Sequence, residues 1–234
     1  RIDGGFILAG DTMSVRYGFL GSGNPVWNPL APLNWIETTS SRHVAFLSQL
    51  VQFDDTAAGL TDVLLTNVDV APGGIIVNNS TKTYSISGTN GIRMAGQFTK
   101  TGSGTLWLTN APAGTSNSWG GNLAILNGLM MAGENTLPFG AGQGDVLLNS
   151  TLGLLGASNQ INGFTGSGTV TNANDSAVPL NLFQVGVQNN SGTFSGQIAD
   201  PASGASALRF VKRGTGALTL SGPNTYTGGT SNFN

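Results

Sequence analysis

The chain has 234 residues, 36 of them Gly and none Cys, with 9% charged residues and a formal net charge of −2. Its one basic cluster, Lys212-Arg213, is too small to neutralise a phosphate backbone, so nucleic acid is excluded as a partner. The missing Cys excludes disulfide frameworks, zinc fingers and thiol chemistry. A hydrophobic share of 39% separates the chain from charge-rich disordered sequences, and Gly at about twice its usual ~7% suits short strands joined by tight turns.

Residues 1–50 differ from the rest. Ile2, Phe6, Ile7, Leu8, Val15, Tyr17, Phe19 and Leu20 stand among glycines and predict strands at about 4–9 and 13–20. A Trp/Pro segment follows, with Trp27, Pro29, Pro32 and Trp35. Its two indoles suit either a plug over the end of a core or stacking on a sugar ring. Residues 40–50, with the single histidine His43, predict a helical turn. The domain division expected is 1–50, an N-terminal strand and capping segment, and 51–234, a repeat region. The chain opens at Arg1 without a secretory leader, which is expected of a processed chain or a piece of a longer one.

From Val51 a strand-turn rhythm sets in. Strands are predicted near 51–54, 62–67, 74–78, 83–87, 92–94, 97–100, 105–109, 123–126, 129–131 and 145–148. More follow near 152–155, 168–171, 180–186, 193–195, 207–211, 217–221 and 225–227, with Gly, Asn, Asp or Pro between them. No amphipathic helix appears. The longest apolar run, Leu123 to Met131, is interrupted by Asn127 and Gly128 and falls short of the ~20 residues of a membrane span. Asn-Gly pairs at 90, 127 and 162 are hairpin signals, so a sandwich competes with a solenoid.

One unit occurs twice. Residues 210–222, Phe-Val-Lys-Arg-Gly-Thr-Gly-Ala-Leu-Thr-Leu-Ser-Gly, align without a gap on residues 98–110, Phe-Thr-Lys-Thr-Gly-Ser-Gly-Thr-Leu-Trp-Leu-Thr-Asn. Phe, Lys, both turn glycines and both leucines recur in place. Self-similarity of this kind marks arrays and solenoids.

Residues 210–230 closely resemble the autotransporter-associated β-strand repeat of large bacterial surface and secreted proteins: a Lys, a Gly-x-Gly turn, a Leu-Thr-Leu strand, then Asn-Thr-Tyr-x-Gly-Gly-Thr. Weaker echoes at 51–56, 77–84, 166–172 and 191–196 extend the resemblance over roughly residues 50–230. The resemblance implies an all-β fold, a right-handed parallel β-helix with a Trp/Pro-containing N-terminal cap, and an extracellular or cell-surface location. At roughly 20 residues per coil, residues 51–234 would form about eight or nine coils, a rod of about 40 Å at ~4.8 Å per coil.

Chemistry is sparse. A Ser-His-Asp hydrolase would have to use His43, and no Gly-x-Ser-x-Gly elbow surrounds a serine. Asp54-Asp55, the one acidic pair, reads as turn capping. The segment 140–147 departs from the calcium nonapeptide, and the Gly-x-Gly turns precede no helix, so neither metal nor cofactor is expected. Polysaccharide-degrading β-helices need paired carboxylates on neighbouring coils, and beyond Val70 only Glu134, Asp145, Asp175 and Asp200 are acidic. The expectation is a non-enzymatic extracellular structural protein: a surface rod, stalk, adhesin or fibre. The alternative is a glycan-binding module using Trp27, Trp35, Trp107 and Trp119, with a polysaccharide-degrading enzyme third. Trp107 stands where the repeat carries Thr. Leu106 and Leu218 are expected in equivalent inward stacks. Self-association is expected head to tail, with residues 1–20 (Phe6, Leu8, Tyr17, Phe19) of one copy adding a strand to the last coil, near Tyr226, of the next.

Overall fold

A computed structural model of the chain describes residues 14–17, 26–27, 35–37 and 50–234, apart from 58, 67, 111–116, 135, 138–141, 174–179 and 204–205. The strand expected at 4–9 and, Leu50 apart, the helical turn expected at 40–50 lie outside these residues. Every regular element among the described residues is a strand. The strands wind into a three-faced solenoid whose coils stack in parallel, which answers the choice between solenoid and sandwich.

The first face holds ten strands. Eight belong to successive coils: Leu50–Asp54, Gly74–Asn78, Phe98–Thr101, Leu123–Ile125, Val146–Leu148, Phe164–Gly166, Gly192–Phe194 and Leu218–Leu220. The second face holds seven: Asp62–Leu65, Tyr84–Gly88, Thr105–Leu108, Leu129–Ala132, Thr151–Leu154, Thr169–Asn172 and Gln197–Ala199. The third begins with the pair Arg93–Met94 and Ser118–Trp119 and continues with Ser158–Ile161, Leu180–Val185, Ala207–Arg213 and Thr230–Phe233. Seven turns separate the first and last of the eight first-face strands, fewer than the eight or nine expected. The coils are longer than expected and uneven, from 18 residues (146 to 164) to 28 (164 to 192). The corner segments absorb the difference, because neighbouring strands must keep a spacing of about 4.8 Å.

Alternation decides what lies inside. On the first face one inward row runs Val51, Ile75, Phe98, Leu123, Val146 and Phe164, and on the second Tyr84, Leu106, Met130, Leu152, Val170 and Ile198. All of these are buried. Aromatic rings link the coils of the C-terminal half: Phe194 stacks on Phe164 at 4.2 Å, Phe164 meets Phe183 at 5.5 Å, and Phe183 meets Phe210 at 6.0 Å.

The two ends differ. At the N-terminal end Ser14–Tyr17 adds a parallel strand to Leu50–Asp54, and Trp35–Glu37 pairs with it antiparallel. Val26 bridges Leu64, and Trp27 is fully buried with its ring 5.4 Å from Phe53. Trp27 thus packs into the core of the first coil. At the other end Leu218, Leu220 and Tyr226 are only half-buried, and Phe233 is 52% exposed.

The strand expectations need correction at residues 225–227 and at six strands that were not expected, Trp35–Glu37, Ser118–Trp119, Ser158–Ile161, Phe164–Gly166, Gln197–Ala199 and Thr230–Phe233. Residues 225–227 are not a strand: Thr225 N–H donates to Ile198 O at 2.9 Å, but Thr227 N–H turns to the Asp200 carboxylate. Ser158–Ile161 is a strand that periodicity missed, because its inward residues are Asn159 and Ile161 and not two hydrophobes.

Candidate functional site

The repeat unit builds a corner. In its first copy Phe98 and Lys100 both point inward on the first face, and Lys100 occupies a core row between Val77 and Ile125. Its side chain is fully buried, and its ammonium reaches the turn that follows. Nζ donates to Thr101 O and Gly102 O, each at 2.8 Å, and to Asn127 O of the next coil at 3.2 Å. Gly102 has φ 75°, where a Cβ would sit 2.3 Å from the Asn79 carbonyl oxygen, so only Gly fits. The second copy repeats this chemistry. Lys212 donates to Arg213 O and, at 2.7 Å, to Gly214 O, and Gly214 has φ 64°.

The copies nevertheless sit at different corners. Residues 98–110 pass from the first face to the second, whereas residues 210–222 pass from the third to the first. Leu106 is fully buried on the second face, while Leu218 is half-buried on the first. The expectation of equivalent stacks for these two leucines is thus overturned. The unit specifies a turn with an inward Lys before it, and any corner of the solenoid can accept that.

Carboxylates and asparagines tie each coil to the next. Asp55 accepts the N–H groups of Ser80, Thr81 and Lys82 at 2.9–3.1 Å. Asp69 accepts Gly91 N–H at 2.6 Å and pairs with Arg93 at 3.1 Å. Asp145 accepts Gly163 N–H at 2.8 Å and the Asn190 amide at 2.5 Å, and Asp200 accepts Leu208 and Thr227 N–H at 2.7 and 2.9 Å. Asp54 caps its own turn through Thr56 N–H at 2.9 Å. Gly102-Ser103-Gly104 and Gly214-Thr215-Gly216 are corners, as their sequence context suggested.

Burial and hydrogen bonding shift several of these groups. Desolvation opposes ionisation of Asp55, but the N–H groups of Ser80, Lys82 and Thr81 outweigh it and hold the carboxyl below the usual aspartate value. The Gly91 N–H, helped by Arg93, lowers Asp69 in the same direction. Burial pushes the Tyr84 phenol up, and its hydroxyl donates to Asp54 O at 2.5 Å. Burial lowers the Lys100 ammonium to about 8, with Asp55 opposing the shift.

The described tryptophan side chains do not form a platform. Trp27 and Trp119 are fully buried, Trp119 with its ring 5.4 Å from Phe98, so neither offers a face to a sugar. Inward alternation at the ends of short strands hides both rings. The Trp35 side chain lies outside the described residues. Among the described tryptophan side chains Trp107 alone points outward, 37% exposed. On the second face it lies in one outward row, in register Asp62, Ser85, Trp107, Met131 and Gly153. The Ser85 hydroxyl donates to Asp62 Oδ1 at 2.7 Å. Sequence reading missed Asp62 and Ser85 as neighbours of Trp107. A coil period of 22 or 23 residues, from 62 to 85 to 107, would have found them.

Of the expected assembly segment, residues 1–20, the structure describes 14–17, where Tyr17 pairs with Trp35 and Ser14 to Arg16 pair with Leu50 to Gln52 of the same chain. Phe6, Leu8 and Phe19 lie outside the described residues. Tyr226 packs toward Phe210 at 6.1 Å and shares a hydrogen bond with Thr230 at 2.6 Å.

With this geometry in place, comparison with known proteins becomes informative. Residues 210–231 match the family model of the passenger-associated-transport-repeat. The resemblance of this stretch to the autotransporter passenger repeat therefore holds. The match spans the second corner unit, its Lys clamp and the strand Thr230–Phe233 up to Ser231. No curated protein and no solved structure matches the chain.

Proposed function

We propose that this chain is solenoid material of a passenger-type exported protein, a rod whose role is mechanical and whose place is outside the cell. The observation that carries the reading is the passenger repeat at 210–231, which forms a turn closed by an internal lysine, a construction that the self-similar residues 98–110 repeat at another corner. Such a unit extends a rod without encoding a site. Asp54, Asp55, Asp69, Asp145 and Asp200 are engaged in hydrogen bonds to turns and neighbouring coils, which is structural use of the side chains a hydrolase would need. A coil-by-coil fold also suits export, because each coil is completed by its neighbour alone.

The test is surface display. The chain is fused ahead of an outer-membrane translocator barrel in a Gram-negative host, and intact cells are treated with protease. Support would be a chain reachable from outside and trimmed to a resistant solenoid core. Retention inside the cell, or complete digestion at the surface, would contradict the proposal.

A further inference from the structure

We propose that the outward row Asp62, Ser85 and Trp107 is a stacking subsite for a neutral pyranose ring of a polysaccharide. The inference goes beyond the rod reading, which requires no such row. In the second copy of the repeat the position of Trp107 is taken by Thr219, so neither the corner nor the core needs an aromatic there. Among the described tryptophans Trp27 and Trp119 are buried and Trp107 is exposed.

The neighbours of the indole complete the chemistry. One strand away Ser85 presents a hydroxyl, and one further away lies the exposed carboxylate of Asp62, held by Ser85 at 2.7 Å. Two strand spacings are about 10 Å, so a ring lying on Trp107 brings its edge hydroxyls toward Ser85 and Asp62. Apolar C–H faces of sugars stack on aromatic rings, and carboxylates accept from sugar hydroxyls. On the other side Met131 lies across Gly153, where a Cβ would come within 2.5 Å of the Met131 sulfur. Gly153 thus leaves room for the Met131 side chain, which is itself buried, so the open part of the row ends at Trp107. Charge selects the occupant. The row holds one carboxylate and no Lys or Arg, so uronic acids and sulfated sugars are repelled and neutral sugars are accepted.

Native gels cast with hydroxyethylcellulose, dextran or galactomannan, with alginate as the anionic control, test the proposal. Expected is retardation by at least one neutral polysaccharide and none by alginate. Trp107→Ala should weaken that retardation by roughly tenfold, the loss of one stacking contact, while Trp107→Tyr keeps most of it. Asp62→Asn, an exposed change that leaves the core intact, should weaken binding several-fold and serves if Trp107→Ala fails to fold. No retardation in any neutral gel, equal retardation in alginate, or indifference to both substitutions would overturn the subsite. So would a Trp107-dependent dimer in light scattering, because the row would then be a contact between copies. None of these outcomes bears on surface display of the rod.

Discussion

The two copies of the repeat share Phe, Lys, both turn glycines and both leucines but lie in two settings. Residues 98–110 lie within the solenoid, where Lys100 and Leu106 are fully buried and coils pack on both sides. In residues 210–222 Lys212, Leu218 and Leu220 are half-buried, and Leu218–Leu220 pairs on one side only, with Gly192–Phe194. Both copies close a left-handed glycine with a lysine, yet they turn different corners. The comparison separates what sequence encodes locally from what neighbours supply. The turn is intrinsic to the unit, while its burial comes from the next coil.

The largest effect that sharpens this contrast is a core truncation. Leu106→Ala should cost about 2–5 kcal/mol, the range for a buried Leu, and Leu218→Ala clearly less, because its side chain is already partly in water. Urea unfolding of the two variants checks it. Equal losses would mean that the last coil is as well covered as the middle.

Lysine titration is next. The folded-state value of Lys100 is about 8, below its unfolded value of 10.5. Between these the unfolded chain binds more protons, so stability should rise with pH from about 8 to 10.5 and be lowest below 8. The slope is at most about 1.4 kcal/mol per pH unit for one group. Lys100→Met should remove the rise. A rise that survives in Lys100→Met would place the titrating group elsewhere.

A smaller effect is expected at the acidic end. Asp55 is lowered in the folded state, so its contribution is present above the ordinary aspartate range and is lost as pH falls through the lower folded value. Asp55→Asn should therefore lower stability at pH 8, where the contribution is present, change little at low pH, where it is already lost, and so flatten the acid limb of the stability profile. An unchanged acid limb would show that the Ser80 to Lys82 turn does not depend on the charge.

The period-2 pattern, the turn glycines and the internal repeat made the all-β solenoid legible. The strands near Val51, Gly74, Phe98, Thr105 and Val146 lie within a residue or two of where alternation puts them. Less legible was anything that depends on the neighbouring coil. Ser158–Ile161 reads as a loop because Asn159 is inward, yet its amide is held by Leu155 O at 3.0 Å. Trp119 reads as exposed because two residues of strand carry no alternation, yet it packs on Phe98 one coil back. The row Asp62, Ser85 and Trp107 is invisible until the coil length is known, and coil length here varies too much to be read from a fixed period.

The central claim is that the repeat encodes a corner and not a face, and disulfide mapping tests it most directly. The chain has no Cys, so the background is clean. Thr193 and Thr219 are exposed register partners on the first face, about 4.8 Å apart and within disulfide reach. The account predicts that Thr193→Cys with Thr219→Cys crosslinks on oxidation, while Ala199→Cys with Thr219→Cys does not. If Thr219 instead followed Trp107 onto the second face, it would lie beside Ala199, and crosslinking of the second pair without the first would contradict the account.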